Sequence, residues 1–186
     1  MKLGRILAFA TLAFTVSAVI AQTAPAKPHH APKAPPKPEP TQLELVEYLH
    51  GMLLSLSAGD SIHDNQDVEF NQATNTLTVI QPMGRCDNAM GSLNANSISW
   101  DTFDPSDRND VHAELLRVTI ASSLGKTARV CTDKNGKPDT TAAANRVRLV
   151  FSAPKAEQFP DFQTKMTKAL QKLIGLSGGT AEKELF

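Results

Sequence analysis

The sequence lacks the patterns that mark common enzymes. It has no phosphate-binding glycine loop, no nucleophile elbow, no zinc-protease helix and no dinucleotide-binding glycine fingerprint. Its 19 Lys and Arg residues equal its 19 Asp and Glu residues, so the chain is not broadly basic. A strongly basic balance is the usual footprint of nucleic-acid binding, and we therefore expect no nucleic-acid partner. No catalytic residue and no cofactor are predicted.

Cysteine is scarce as well, because only Cys86 and Cys131 occur. In an exported protein two such residues are expected to pair as a disulfide. The bridge would close a long loop, and chain entropy sets its contribution to stability at about 4 kcal/mol at most. Two alternatives stay open. The residues are free buried thiols that pack as small hydrophobes, or one is a catalytic thiol beside His63 or His112.

The one long apolar run lies at the N-terminus, where Lys2 and Arg5 precede Ile6–Ile20. A basic start, an apolar middle and small or medium residues at the end predict a signal peptide over residues 1–21, cleaved after Ala21. The apolar run is shorter than the roughly 18 residues of a membrane span, although an uncleaved anchor is the alternative. We expect a secreted or periplasmic protein of the bacterial export type, with no stable membrane span after cleavage.

Residues 22–40 form a linker rich in proline, alanine and lysine. The segment has no large apolar side chains and cannot build a core. Its prolines favour an extended chain of about 3 Å per residue. We interpret it as a disordered leader; the alternative is a spacer that holds the domain off an envelope surface. His29 and His30 make a poor metal site, because structural zinc needs four ligands held by a fold.

The folded domain is predicted to span residues 41–176. Thr41 and Glu44 form a capping box at the start of an amphipathic helix that should end near Gly59. His50 lies on this helix among apolar neighbours. The sequence places no carboxylate or nucleophile beside it, so we interpret it as a packed or rim histidine.

Alternation of apolar and polar residues then predicts about six strands. The first two form a hairpin, and the polar, glycine-bearing segment 83–96 is interpreted as a loop. The strand at Ala128–Thr132 is expected to pair with the strand at Leu116–Ile120. Trp100, the only tryptophan, is expected to be mostly buried. The six strands are centred on Val68–Phe70, Leu77–Val79, Ile98–Phe103, Leu116–Ile120, Ala128–Thr132 and Arg146–Phe151.

The last strand runs into an amphipathic helix. Lys165, Lys168 and Lys172 lie on one side of it, and seven apolar residues at helical spacing lie on the other. Gly175 follows the last of these and is expected to end the helix in a left-handed conformation, which leaves 177–186 as a flexible tail. A stripe this wide must be buried against the strands. Its residues are Phe159, Phe162, Met166, Ala169, Leu170, Leu173 and Ile174.

Two acidic stretches could be mistaken for calcium sites. In the first, Asp101, Asp104, Asp107 and Asp110 recur every third residue; the second is the Asp-Lys-Asn-Gly sequence at 133–136. A calcium loop places its ligands at alternate positions and closes with a bidentate Glu, which neither stretch has. Asp and Asn also favour turns, because they bond their own backbone. No metal site is predicted.

Charge is divided along the chain. Residues 41–110 carry 11 acidic residues and two arginines, a net charge of −9, whereas residues 111–186 carry 12 basic and seven acidic residues, a net charge of +5. Two opposed patches would favour self-association or a charged partner. If the two halves interleave in one antiparallel sheet they neutralise each other, and this is the interpretation we favour.

The order of helix, hairpin, strands and closing helix resembles small exported bacterial domains of unknown function with a pleckstrin-homology-like layout. The resemblance is carried by Tyr48–Leu53, Asn75–Val79 and Met166–Ile174. It implies an α+β fold in which an N-terminal helix precedes about six mostly antiparallel strands, in a bent sheet or partial barrel, and a C-terminal helix packs on the sheet. The closing helix has no tryptophan and no basic loop suits a phosphoinositide, so binding or scaffolding is implied rather than lipid recognition.

We therefore expect an exported, non-catalytic binding or scaffolding domain that acts on a protein or envelope partner. The alternative is a small secreted hydrolase with its site in loops within 83–112. A shallow surface with an open strand edge would favour binding. Convergent polar side chains with displaced pKa values beside a deep pocket would favour an enzyme.

Cleavage after Ala21 should leave Gln22 at the N-terminus of protein recovered outside the cytoplasm, because the small residues before that bond suit the signal peptidase. Intact-mass spectrometry and N-terminal peptide mapping measure this directly. A recovered protein that retains Met1 would show that the segment is kept as an anchor.

Overall fold

The computed structural model describes residues 38–57, 66–104, 114–139 and 145–181. Several of the predictions above fall outside these ranges. They concern the signal peptide, the linker up to residue 37, Gly59, His63, Asp107, Asp110, His112 and residues 182–186.

Three helices and seven strands make up the described chain. The helices are α1 (Gln42–Ser55), α2 (Ala153–Ala156) and α3 (Phe162–Leu176). The strands are β1 (Asp67–Asn71), β2 (Thr76–Gln81), β3 (Gly84–Ala89), β4 (Leu93–Phe103), β5 (Leu115–Ser122), β6 (Arg129–Asp133) and β7 (Arg146–Ser152). A 3₁₀ turn at Met90–Ser92 joins β3 to β4.

Helix α1 begins with the predicted capping box. The Thr41 side chain accepts the Glu44 amide, and the Glu44 carboxylate accepts the Thr41 amide at 2.7 Å. Two backbone N–H groups that have no partner inside the helix are thereby satisfied. The helix ends at Ser55, and its buried side chains are Leu45, Val46, Leu49 and Leu53.

The strands form two antiparallel sheets. Sheet A has the order β1-β2-β3-β6, and sheet B has the order β4-β5-β7. The predicted pairing of β6 with β5 is wrong, because β4 and β7 occupy the two sides of β5 and β6 pairs with β3. Strands β4 and β7 are both longer than β6 and match β5 in apolar residues, which favours their pairing with β5 over that of β6.

The segment 83–96 is not the predicted loop, because it contains β3 and the start of β4. In β3 the buried positions are Cys86 and Asn88, and they alternate with the exposed residues Arg85 and Asp87. The strand therefore has the period of a half-buried strand but no branched aliphatic or aromatic residue, so the hydrophobic signal that marks strands is missing.

Helix α3 buries the apolar stripe against β4 and α1. Two details of the prediction are wrong. Phe159 precedes the helix and is 41% exposed. The helix continues through Gly175 to Leu176, and the left-handed residue that follows it is Gly178, with φ of 79°. The buried residues of α3 are Phe162, Met166, Ala169, Leu170, Leu173 and Ile174.

The folded domain also extends past the predicted boundary at residue 176. The Thr180 amide donates to the Leu93 carbonyl, and the Thr180 carbonyl accepts from the Ala95 amide, both at 3.0 Å. Ser177 is buried. Residues 177–180 are therefore held along the edge of β4.

An aromatic cluster joins sheet B to α3. Trp100 is partly buried, its indole N–H donates to the Thr167 hydroxyl at 2.9 Å, and its ring lies 5.8 Å from the Phe162 ring, edge to face. Phe151 completes the cluster at 5.2 Å from Phe162. The polar end of the indole is satisfied while its ring packs, as is usual for a tryptophan at the rim of a core.

The α+β class, the leading helix and the C-terminal helix packed on a sheet are confirmed. The described strands lie in two sheets rather than in one bent sheet, and they close no barrel. The acidic and basic halves interleave: β6 joins sheet A, and Asp101 of β4 pairs with Arg117 of β5. In the described chain no helix is both long enough and apolar enough to cross a membrane.

Replacement of Leu170 by alanine should lower the free energy of unfolding by about 2–5 kcal/mol, because it leaves a cavity under a fully buried side chain. Lys168, on the exposed side of the same helix, serves as the control. Lys168→Ala should change stability by less than about 0.5 kcal/mol. Urea denaturation measures both. Equal stability of the two variants would show that α3 is not part of the core.

Candidate functional site

A shallow groove follows strand β1 and the outer face of sheet A. Its volume is about 710 Å³, and its wall and floor come from β1, β2, β3 and the first turn of α1. Most of its lining is polar, with two apolar side chains at one end, Leu43 and Phe70. The lining that bears on function also includes Glu69, Thr76, Thr78, Arg85 and Asp87.

The register of sheet A places these polar side chains next to one another. Glu69, Thr78 and Asp87 lie opposite one another on β1, β2 and β3. The Thr78 hydroxyl donates to the Asp87 carboxylate at 2.7 Å, and the Arg85 guanidinium lies 3.4 Å from both. Thr78 is buried beneath its neighbours although it faces away from the core. The three side chains therefore form a fixed network on the groove floor.

The apolar end of the groove is held by α1. Leu43 is 52% exposed, and Phe70 is partly buried against the core. The Gln42 side-chain amide donates to the Asn75 side chain at 3.1 Å, and also to the Leu176 carbonyl and the Ser177 hydroxyl at the end of α3. This contact fixes the first turn of α1 against the β1–β2 turn. The groove thus has an apolar end, formed by Leu43 and Phe70, next to a polar floor.

The edges of the two sheets differ in how far the chain covers them. Ser152 and Val150 of β7 donate to Leu56 and Gln66, respectively. At the edge of β6, the Asp133 amide donates to Lys137 at 2.8 Å. Residues 177–180 cover part of β4, as described above. Within β1, the Val68 amide donates to the Asp67 side chain. After Val68, the backbone of β1 forms hydrogen bonds only with β2 among the described residues.

A second, smaller cleft of about 290 Å³ lies where α2 and α3 meet sheet B. Its floor is apolar, and Glu157 and Asp161 lie at its rim. Asp161 precedes α3 with φ of 60°, and its side chain makes no capping bond to the helix. An adjoining depression of about 350 Å³ is lined by Asp104 and Glu114.

His50 is partly buried, and it has a carboxylate partner that the sequence did not place beside it. Its Nδ1 atom bonds Asp67 Oδ1, which joins α1 to the start of β1. Among the described residues Asp67 is the only hydrogen-bond partner of the ring. Seventeen residues separate the two, so no local pattern could have paired them.

The acidic stretches serve structural purposes where they are described. Asp101 pairs with Arg117, and Asp133 accepts the Asn135 and Lys137 amides at 2.8 and 2.9 Å. Gly136 completes that turn with φ of 79°, a conformation that favours glycine. Over residues 38–57, 66–104, 114–139 and 145–181, no three His, Cys, Asp or Glu side chains come together as metal ligands.

Cys86 and Cys131 form a disulfide, as predicted. They lie directly opposite each other on β3 and β6, on the face of sheet A that looks away from the groove. Arg129 Nη2 is 2.8 Å from Cys86 Sγ. Burial lowers the pKa of Arg129, the charge of Arg148 lowers it further, and Asp139 acts in the opposite direction. His63 and His112, which the sequence analysis weighed as partners of a thiol, lie outside the described residues, and the side chain that contacts Cys86 here is an arginine.

Two other groups have a displaced pKa. A hydrogen bond from Lys172 lowers the pKa of Glu39, and burial raises the pKa of Tyr48. Neither these two groups nor Arg129 lines any of the three clefts described above. At these three clefts, the described groups with a displaced pKa therefore do not form part of the lining, as they do at many catalytic sites.

Thr78→Val should destabilise the domain by about 1 kcal/mol, because it removes a buried hydroxyl that links Arg85 to Asp87 at almost constant volume. Thr76→Val, on the same strand and face, is the control and should cost under about 0.5 kcal/mol. Guanidinium denaturation compares the two. Equal costs would mean that the network on the groove floor is not ordered in solution.

The chain was compared with protein families, with curated proteins and with solved structures. None of them matches it. Function must therefore be inferred from the geometry of the chain itself.

Proposed function

We propose that this protein is an exported, non-catalytic binding domain that holds an extended polypeptide segment of an envelope or extracellular partner along β1. The observation that carries the proposal is the edge of β1. Part of every other sheet edge is bonded by a further segment of the chain, whereas in the described residues β1 is bonded by β2 alone. An open edge is a template for one more strand.

The groove beside this edge suits an extended chain. It is broad and shallow, and its floor carries hydroxyl and carboxylate groups and one guanidinium. In strand addition, main-chain hydrogen bonds give affinity, and pockets for alternate side chains give specificity. Leu43 and Phe70 offer a seat for one apolar side chain of the added segment. Glu69 and Asp87 outnumber Arg85, which favours neutral or basic segments over acidic ones.

The fixed floor lowers the entropic cost of binding. Arg85, Thr78 and Asp87 already hold one another, so fewer rotamers are lost when a ligand arrives. The disulfide on the opposite face ties β3, which bears two of the three, to β6. A disulfide is also consistent with an oxidising compartment, as the predicted signal peptide requires.

A small secreted hydrolase with a site within 83–112 is the second candidate. One observation favours it: Asp104, within that segment, and Glu114, just after it, line the same depression as Thr102. Two carboxylates are a common acid–base pair. The first half of the proposed segment, however, is strand β3 and the start of β4 rather than a loop.

A photoreactive amino acid at Glu69 tests the binding proposal. We expect a protein adduct from envelope extract at Glu69 and none when the same group replaces Lys168 on the exposed side of α3. Arg85→Glu should lower the Glu69 adduct at least fivefold, about 1 kcal/mol, because a carboxylate at this position repels Asp87 and breaks the network that orders the groove floor. Arg146→Glu, an exposed arginine of β7, is the matched control.

Three results would contradict the proposal. They are equal adducts at Glu69 and Lys168, an equal loss with Arg85→Glu and Arg146→Glu, and an adduct that glycosidases remove but proteases do not. The last would assign the groove to a polysaccharide instead of a polypeptide. Turnover of ester, peptide or glycoside substrates that Asp104→Asn abolishes would favour the hydrolase.

A further inference from the structure

The disulfide has an unusual neighbour for a purely structural bridge. Arg129 Nη2 lies 2.8 Å from Cys86 Sγ, while Arg129 is itself partly buried. A disulfide sulfur is neutral and is a weak hydrogen-bond acceptor, so it offsets little of the free-energy cost of removing the guanidinium from water. A thiolate at the same position would be its natural counter-ion, because an adjacent arginine stabilises the charged form of a thiol.

The asymmetry between the two sulfurs is the second observation. The guanidinium contact is to Cys86, and no comparable contact to Cys131 Sγ occurs among the described residues. The two cysteines are 8% and 6% exposed and lie outside the main core cluster. The two cysteine residues are therefore alike in exposure but differ in the electrostatic surroundings of their sulfurs.

We infer that the Cys86–Cys131 bridge is a thiol–disulfide exchange site in which Cys86 is the leaving group and Arg129 stabilises its thiolate. A small external thiolate attacks Cys131 Sγ and forms a new S–S bond to it. The Cys86–Cys131 bond breaks, and its electron pair goes to Cys86 Sγ, beside the guanidinium. A lower pKa of the leaving thiol makes it leave faster, which selects Cys131 as the sulfur attacked.

The exchange requires only the external thiol and the two cysteines, and it needs no cofactor. The first step gives a mixed disulfide on Cys131 and a thiolate on Cys86. A second external thiolate attacks the external sulfur of that mixed disulfide and releases the Cys131 thiolate, with one external disulfide as the other product. Alternatively, Cys86 attacks the mixed disulfide and restores the original bridge.

Other charges around the bridge determine the size of the effect. Arg148 of β7 adds positive charge near Arg129, and Asp139, which follows β6, opposes it. Arg85 and Asp87 flank Cys86 on β3 but face the opposite side of sheet A. Burial raises the pKa of a thiol, so the guanidinium contact must outweigh desolvation for Cys86 to ionise readily.

The position of the mixed disulfide is the first test. The oxidised full-length protein is treated with 2-mercaptoethanol without denaturant, quenched with acid, and mapped by peptide mass spectrometry. We expect the adduct on Cys131 in large excess over Cys86. Arg129→Gln should reduce that excess and slow reduction, Arg129→Lys should restore part of both, and Arg146→Gln should change neither.

The second test measures the thiols of the reduced protein. Iodoacetamide alkylation across pH should place the pKa of the Cys86 thiol at least about one unit below its ordinary value near 8.5, which means about tenfold more thiolate at neutral pH. Equal adducts on both cysteines, no dependence on Arg129, or a bridge that resists thiols until the protein unfolds would overturn the inference. The adduct position on the wild-type protein decides the matter even if a variant fails to fold.

Discussion

Burial of one face of α3 is the interaction on which the rest of the structure depends. Six side chains of this helix are buried, and they cover β4 of sheet B and meet α1. Without this helix, sheet B would expose apolar side chains to water, and a 15-residue helix is marginal by itself in water. The Trp100–Phe151–Phe162 cluster extends the contact, and the chain after α3 returns to bond β4.

Strand β3 connects the two chemical features of sheet A. Its side chains alternate strictly, so Arg85 and Asp87 reach the groove while Cys86 and Asn88 reach the other face. The bridge from Cys86 to Cys131 holds β3 against β6, and the floor of the groove rests on β3. Both the proposed ligand site and the proposed exchange chemistry thus depend on one strand that has no large apolar residue.

The edge of β1 differs from the other sheet edges of this domain. Open edges invite association, and most proteins cover them. Here Leu56 and Gln66 bond β7, Lys137 bonds β6, and Thr180 bonds β4. In the described residues β1 has no such cover beyond the Asp67 side chain at its start, and polar side chains surround it. A partner strand would satisfy the remaining backbone groups.

By itself the sequence determined what depends on near neighbours along the chain: the capping box of α1, the β1–β2 hairpin, the apolar stripe of α3 and the α+β class. These follow from periodicity and from caps, which act over a few residues. With only two cysteines, it also predicted the disulfide, although it left free thiols as an alternative that the structure then excluded. The sequence missed β3 for a different reason: this strand pairs with its neighbour β2, but it carries no branched aliphatic or aromatic residue. Tertiary structure alone decided that β6 pairs with β3, that His50 meets Asp67, and that Arg129 touches Cys86. Each of these joins residues far apart in sequence, and such contacts depend on how complete faces fit together, which no local pattern records.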